Sequence, residues 1–322
     1  MSDLAEQVYE EAPAINTNEI PVIDMTGFVG GSDAKRKAIA AEVAEACSTV
    51  GFLYMAGHGL SPALVDDTFA QTERFFDQSE DDRRRTLATP EWFRGYVPTK
   101  SGGMGTFRTM LELPADDPDV LRGKPMHHPN RWPDHLPGFR EVVTAYQDAM
   151  LELSVHIRQM FAIGLDLPED FFEPFYKRPL IQQSLLYYPA PPSTDPKDLK
   201  IGAGEHSDTG AFTILMQDQV GGLEVRHREK GWVQATPIEG TFVVNIGDVM
   251  MNWTNGRYIS NLHRVVNRKA KDRMSLPHFA NADYDAIIAP IPALLEPGHD
   301  PITGPIHFGR YMDEFYKGQM SL

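Results

Sequence analysis

His206 and Asp208 stand two residues apart in the segment Gly204-Glu205-His206-Ser207-Asp208. Successive side chains of a β-strand point to opposite faces, so a strand here would project His206 and Asp208 from one face and turn Ser207 away. One strand could then supply two metal ligands, an imidazole nitrogen and a carboxylate oxygen. With His263 as a second imidazole, the set becomes two histidines and one carboxylate on one side of a metal. That arrangement leaves positions open and favours non-haem Fe(II) able to bind a co-substrate and O₂. Arg273 and Ser275 repeat the spacing in Arg273-Met274-Ser275. A guanidinium fork and a hydroxyl on one strand face are suited to holding a carboxylate.

A lone His-x-Asp tripeptide is a weak signal, because both residue types are common in turns. Position strengthens it here. His263 follows Asp208 after two strand-like segments and the turn Gly247-Asp248, so it is expected on another strand facing the first across a barrel. Arg273 follows ten residues later, one hairpin on. The nine other histidines read as surface or turn residues, and His127-His128 lacks a nearby carboxylate pattern. Trp253 and Phe212 are candidate pocket residues, although an aromatic beside a barrel strand more often belongs to the core. Phe107 and Arg108 lie in an irregular stretch and are further candidates for substrate contact. Arg108 could anchor an acidic substrate, against the commoner state of a solvated loop arginine.

The elements that must position these residues fall into two textures. Ile20-Pro21-Val22-Ile23-Asp24 reads as an opening edge strand. From Ser32, Ile39, Val43, Ala46, Cys47 and Val50 recur at helical spacing, and Gly51 occupies the left-handed cap position. Phe52 to Met55 is a short buried strand. Ser61-Pro62 starts a second helix with Val65, Phe69, Thr72 and Phe76 on one face. From about Glu91 to Pro137 the pattern dissolves into Gly, Pro and scattered charge, a long loop of the functional kind. Phe139 to Gly164 is the longest helix. After Arg178, stretches rich in β-branched and aromatic residues appear at Ile181 to Tyr188, Phe212 to Met216, Gly222 to Arg226, Thr241 to Ile246, Leu262 to Val266 and Met274 to Ala280. These describe a jelly-roll or cupin-like barrel with a ligand mouth. Arg310 to Leu322 returns to helical spacing, with Tyr311, Phe315 and Met320, and is expected to pack across the barrel. The organisation expected is a flexible arm over residues 1–18, a helix-rich region over 19–178, and a jelly-roll core with a C-terminal helix over 179–322, forming one unit of mixed α and β class.

Composition narrows the chemistry. Thirty Lys and Arg oppose 45 Asp and Glu, a formal charge of −15 that disfavours nucleic acid and anionic lipid. Cys47 is the only cysteine, so any metal must be held by His, Asp or Glu, and the usage fits a reducing cytosol. Met1 to Ala14 carries acidic residues and no apolar run, unlike a secretory or transit peptide, and no apolar stretch is long enough to span a membrane. A cytoplasmic protein with a small-molecule substrate is expected. Oligomeric state is not legible, and a monomer is plausible.

Several of these motifs occur together and in order: Ile20 to Asp24, Gly51-Phe52 with Gly57-His58-Gly59, Tyr187-Tyr188-Pro189, His206-Ser207-Asp208, Gly247-Asp248, Trp253-Thr254-Asn255-Gly256, His263-Arg264-Val265 and Arg273-Met274-Ser275. The chain thereby resembles, over nearly its whole length, the isopenicillin N synthase-like family of Fe(II)/2-oxoglutarate-dependent oxygenases. The resemblance implies a double-stranded β-helix core and iron held by His206, Asp208 and His263. It also implies that Arg273 and Ser275 bind the distal carboxylate of 2-oxoglutarate, with Tyr188 as a further donor. One departure is Leu186, where many plant members carry Asn. The implied reaction consumes O₂ and 2-oxoglutarate, releases succinate and CO₂, and hydroxylates, desaturates or cyclises a small molecule, as in secondary metabolism. Two alternatives remain from the residues alone: an iron oxidase of the same fold that does not use 2-oxoglutarate, and a non-catalytic jelly-roll binding protein.

Overall fold

The computed structural model describes Ala12, Leu199 and residues 19–98, 104–195 and 201–321. The expected arm over residues 1–18 lies outside the described residues except for Ala12. In chain order the first elements are β1 (Val22–Asp24), α1 (Asp33–Thr49), β2 (Phe52–Ala56), α2 (Pro62–Phe76), α3 (Glu80–Arg84), β3 (Gly95–Val97), β4 (Gly105–Met110), α4 (Pro118–Leu121) and α5 (Phe139–Gly164). There follow β5 (Gln182–Tyr188), β6 (Ile201–His206), β7 (Phe212–Gln217), β8 (Leu223–His227), β9 (Gly231–Gln234) and β10 (Phe242–Ile246). The last are α6 (Asp248–Trp253), β11 (His263–Val266), β12 (Arg273–Ala280), β13 (Ile287–Ile288), β14 (Ile306–His307) and α7 (Phe308–Ser321).

The helix boundaries have local causes. Ser32 caps α1 by accepting the Lys35 amide at 3.3 Å. Beyond its end, Gly51 at φ +74° returns its own amide to the Ala46 carbonyl at 2.9 Å, a turn that most side chains resist. Pro62 occupies the first turn of α2, where a missing amide costs nothing. On α5, Val143, Tyr146, Met150, Leu153, Ile157 and Met160 form a continuous buried stripe, each such side chain stabilising the fold by about 1.5–3 kcal/mol.

Two sheets face each other. The larger runs β1-β2-β10-β7-β12-β5-β4-β3 and the smaller β6-β11-β8-β9. Alternation divides the larger sheet's residues between two cores. Leu53, Met55, Phe107, Leu185, Phe212, Ile214 and Leu276 pack with α1, α2 and α5 on one face. Phe52, Tyr54, Tyr188 and Val243 pack on the other face against Leu223, Val225, Val233 and Val265 of the smaller sheet. The site lies between the sheets, on this second face.

Four expectations need correction. The segment from Glu91 to Pro137 is not a plain loop: it contributes β3 and β4 to the larger sheet, β4 pairing with β5 from Gly105 opposite Tyr187 to Met110 opposite Gln182. Its strand pattern is hidden in the sequence because glycine and charge interrupt the apolar face. The turn at Gly247-Asp248 opens directly into α6. His263 does not face β6 across the barrel, because β11 and β6 are antiparallel neighbours in one sheet. Arg273, on β12, lies in the opposite sheet and is not one hairpin further on.

Candidate active site

His206 and His263 are a directly opposed cross-strand pair of β6 and β11, their rings 4.2 Å apart between centroids. Each Nδ1 faces a backbone carbonyl, Gly204 at 2.7 Å and Asn261 at 3.4 Å. An Nδ1–H donated there leaves Nε2 as the free lone pair on both rings. Asp208 is not on the strand, which ends at His206. It sits in the following loop, fastened where its carbonyl accepts the Asp248 amide at 2.7 Å. Its Oδ1 lies 3.8 Å from His206 Nε2 and 3.7 Å from His263 Nε2. The expected same-face geometry is therefore met by a loop rather than by strand alternation.

The other carboxylate oxygen of Asp208 accepts from Thr213 Oγ1 at 2.5 Å and Asn245 Nδ2 at 2.7 Å. Burial alone would raise the pKa of this carboxyl, but the neighbouring His263, the Thr213 and Asn245 hydrogen bonds and His206 together hold it below the usual carboxylate value. Burial lowers the pKa of His263 and so favours its neutral form, the one able to ligate a metal. His206, Asp208 and His263 form the one group of metal-ligating residues found among the described residues, with donor atoms within 4.8 Å of one another.

These donors open into a cavity of about 230 Å³ between the sheets. At one end Arg273, fully buried, donates from Nε to the Gly221 carbonyl at 2.6 Å and from Nη1 to Ser275 Oγ at 3.0 Å, while Nη2 has no partner. Tyr188 lies directly across the ladder from Arg273, its ring 4.7 Å from the guanidinium carbon. Burial raises the pKa of the Tyr188 hydroxyl against the opposing pull of Arg273, which keeps it a proton donor. Gly202 makes room for that ring, since a Cβ there would come within 2.5 Å of Tyr188 Cδ1.

At the other end stand Thr106 and Arg108 of β4, Gln182 and Ser184 of β5, and Met312, Phe315 and Tyr316 of α7. Arg108 is thus a cavity residue and not a solvated one. The other three substrate candidates point elsewhere. Phe107, between Thr106 and Arg108, faces away into a cluster with Phe75 and Phe139. Phe212 packs on Phe161. Trp253, on α6, is wedged against Phe172 and Phe175. For the strand aromatics the cause is strand parity, which an irregular or short segment does not reveal before its register is known.

Residues 180–282 match the family model of the 2OG-Fe(II) oxygenase superfamily, and residues 20–135 match that of the N-terminal region named for non-haem dioxygenase in morphine synthesis. A 2-oxoglutarate-Fe(II) type oxidoreductase of Emericella nidulans is 32% identical over 300 residues, covering 89% of this chain and 86% of that protein. This chain belongs to the Fe(II)/2-oxoglutarate-dependent oxygenases. Among solved structures, a full-length Neurospora crassa protein in complex with alpha-KG and 5-formyluracil superposes with a TM-score of 0.85 at 29% identity, over 96% of this chain and all of that one. JOX2 in complex with 2OG, Fe and JA gives a TM-score of 0.77 at 28% identity, over 98% and 90% of the two chains. The sandwich described above is accordingly the jelly roll of this oxygenase family.

Ferrous iron and 2-oxoglutarate are the cofactor and co-substrate of this dioxygenase family, and the residues present suit both. A metal about 2.1 Å from each ligand atom keeps those atoms within about 4.2 Å of one another, a limit that both separations between Asp208 and a histidine, 3.7 and 3.8 Å, meet. The unpartnered Nη2 of Arg273 beside the Ser275 hydroxyl is a donor pair suited to a carboxylate. Thr213, Asn245, Thr106, Gln182, Ser184 and Tyr316 are among the site residues that the sequence leaves unmarked. Asn245 and Thr213 do carry a signal: each is a lone polar residue within an apolar strand, Phe-Val-Val-Asn-Ile and Phe-Thr-Ile-Leu-Met, and a buried polar group needs a partner.

Proposed function

We propose that this oxygenase hydroxylates a small organic molecule, with iron on His206, Asp208 and His263 and the distal carboxylate of 2-oxoglutarate on Arg273, Ser275 and Tyr188. The observation that carries the reading is that the orphaned Nη2 of Arg273 and the open Nε2 atoms of both histidines line the same cavity. A second carboxylate-binding element aligned with a metal site has no use in a structural metal protein.

In this reading the iron, once loaded, supplies oxygen activation coupled to breakdown of the 2-oxo acid into succinate and CO₂. The protein's own side chains do the rest. Arg273 neutralises the far end of the co-substrate from a position with almost no access to water, where its charge counts for more than at the surface. Tyr188 and Ser275 fix the orientation of that carboxylate by hydrogen bonding. Thr213 and Asn245 hold one oxygen of Asp208 so that the other remains turned to the metal. Phe52, Leu215, Leu223 and Val265 line the walls with apolar surface and limit the water beside the reacting centre.

Small-molecule substrates are supported by the relatives, among them the Neurospora crassa protein seen with thymine and JOX2 seen with JA, and by the size of the cavity. A cytoplasmic setting is supported by the single buried cysteine, Cys47; no described helix is long and apolar enough to cross a membrane. The reading is tested by following O₂ uptake and succinate together on a panel of small organic substrates. Succinate formed in step with O₂, and lost in Arg273→Ala, is the expected result. O₂ uptake indifferent to 2-oxoglutarate would refute it in favour of an oxidase of the same fold.

A further inference from the structure

Two arginines of the cavity have unsatisfied donors, and Arg273 is only one of them. Arg108 is the other: its Nε and Nη1 are both buried and neither has a hydrogen-bond partner. Its guanidinium carbon lies 5.2 Å from the centre of the Tyr316 ring, a contact that steadies the side chain but satisfies no N–H. Among the described residues, Asp208 is the one acidic residue lining the cavity, and its carboxylate is already engaged by Thr213, Asn245 and the histidines. Burial pulls the pKa of Arg108 below its ordinary value, with Tyr316 opposing, as expected of a cation that has no carboxylate partner among the described residues.

A nearby arginine shows what a structural role looks like. Arg94, in the same stretch, donates from Nη1 to the Leu111 carbonyl and Asn130 and from Nη2 to the Met126 carbonyl, tying three loop segments together. Arg108 ties nothing together. It is instead accompanied by a prepared polar wall: Tyr316 donates to Gln182 Oε1 at 2.7 Å, and Gln182 Nε2 donates to Ser184 Oγ at 2.9 Å. Ser184 therefore keeps its own proton to donate, and it sits directly opposite Arg108 in the β4–β5 register.

We propose that Arg108 and the Ser184 hydroxyl bind a carboxylate of the organic substrate, which makes the substrate a small organic acid. This rests on the assignment of the co-substrate to Arg273. Arg273 pairs with Tyr188 and Arg108 with Ser184, four residues apart along β5, so the two cations are separated by about 13 Å of strand. Two carboxylates can then occupy the cavity without competing for one guanidinium. Asp208 is fastened to Thr213 on β7, three strands across the sheet from β4. An acid anchored on Arg108 would thus extend its carbon skeleton across the cavity towards the metal centre, presenting a carbon remote from the carboxylate. A buried cation with unsatisfied N–H groups suits a carboxylate better than a single neutral carbonyl.

The test uses the full chain loaded with ferrous iron and 2-oxoglutarate under nitrogen. Binding of hexanoate, phenylacetate and cyclohexanecarboxylate is measured by calorimetry, each against its primary amide, for wild type, Arg108→Gln, Arg108→Lys and Arg273→Ala. At least one acid is expected to bind wild type about tenfold or more tightly than its amide. That preference should vanish in Arg108→Gln and return in part in Arg108→Lys, while 2-oxoglutarate affinity stays within about twofold in both. Equal binding of every acid and its amide, or a preference that survives Arg108→Gln, overturns the proposal. Loss of 2-oxoglutarate binding in Arg273→Ala together with either of those results overturns this proposal alone. Loss of 2-oxoglutarate binding in Arg108→Gln with retention in Arg273→Ala overturns the co-substrate assignment as well.

Discussion

The side-chain amide of Asn245 stands 2.7 Å from Oδ2 of Asp208 and leaves Oδ1 turned towards the two histidines. One polar residue inside an apolar strand thereby decides which oxygen of the carboxylate is free to meet a metal. Asn245→Ala and Thr213→Val should each weaken iron binding by about 10- to 100-fold, read by competitive metal titration. Unchanged affinity in both would show that the backbone of the 207–208 loop suffices to orient Asp208.

Removal of the carboxylate itself separates metal retention from folding. Asp208→Ala is expected to lose iron while keeping the barrel, because the side chain sits in a loop at the cavity and not in either apolar core. Elemental analysis and a circular dichroism spectrum check it together. Full iron occupancy in this variant would contradict the assignment of the centre.

The co-substrate end predicts a graded series. Arg273→Ala should weaken 2-oxoglutarate binding by about 10- to 100-fold or more, Ser275→Ala by less, and Arg273→Lys should recover part of the loss, having charge but no fork. Gly202→Ala should act in the same direction from a distance, since its methyl would push the Tyr188 ring out of place. Calorimetric titration of the iron-loaded protein under nitrogen reads all four.

Acid lability has a defined source away from the site. His278 is fully buried, its Nδ1 faces Gln183 Oε1 at 3.1 Å and its Nε2 has no partner. Burial, with Arg158 adding to it, pushes its pKa down to about 3. In the unfolded chain a histidine titrates near 6.5, so between about pH 6.5 and 3 the unfolded state holds one more proton and stability falls as pH falls, by up to about 1.4 kcal/mol per pH unit. Urea unfolding at about pH 6, 5 and 4.5, inside that window, should show a shallower decline for His278→Gln than for wild type. Parallel declines would mean that other groups govern acid unfolding.

Glu224, on β8, is fully buried and receives Arg264 of the neighbouring strand at 2.7 Å and Arg268 at 2.8 Å. Taking away the anion removes a buried carboxylate that two guanidinium groups share in a poorly hydrated place. Glu224→Ala should destabilise the fold by about 3–5 kcal/mol, measured by denaturant unfolding, and a cost below about 1 kcal/mol would show that water reaches the pair.

What can be read from the chain follows from where each signal resides. Periodic helices and the three candidate metal ligands are legible, because their residue types and spacings are local. Asp208 joins the two histidines as expected, but the strand-face argument does not apply to it, since the strand stops two residues short. Arg108, Phe107 and Phe212 cannot be sorted from sequence, because the side a strand residue faces depends on register with strands distant in the chain. Thr213 and Asn245 are readable in principle as polar breaks in apolar runs, yet only the fold reveals that both breaks meet one carboxylate.

The alternation along β4 has a consequence for how this protein can change. Thr106 and Arg108 touch whatever fills the cavity, and Phe107 packs on the other face against Phe75 and Phe139. Diversity can therefore accumulate at every second position of one strand while the intervening positions stay under the demands of packing. A library confined to Thr106, Arg108, Gln182 and Ser184 would explore new substrates with the scaffold's interior left intact.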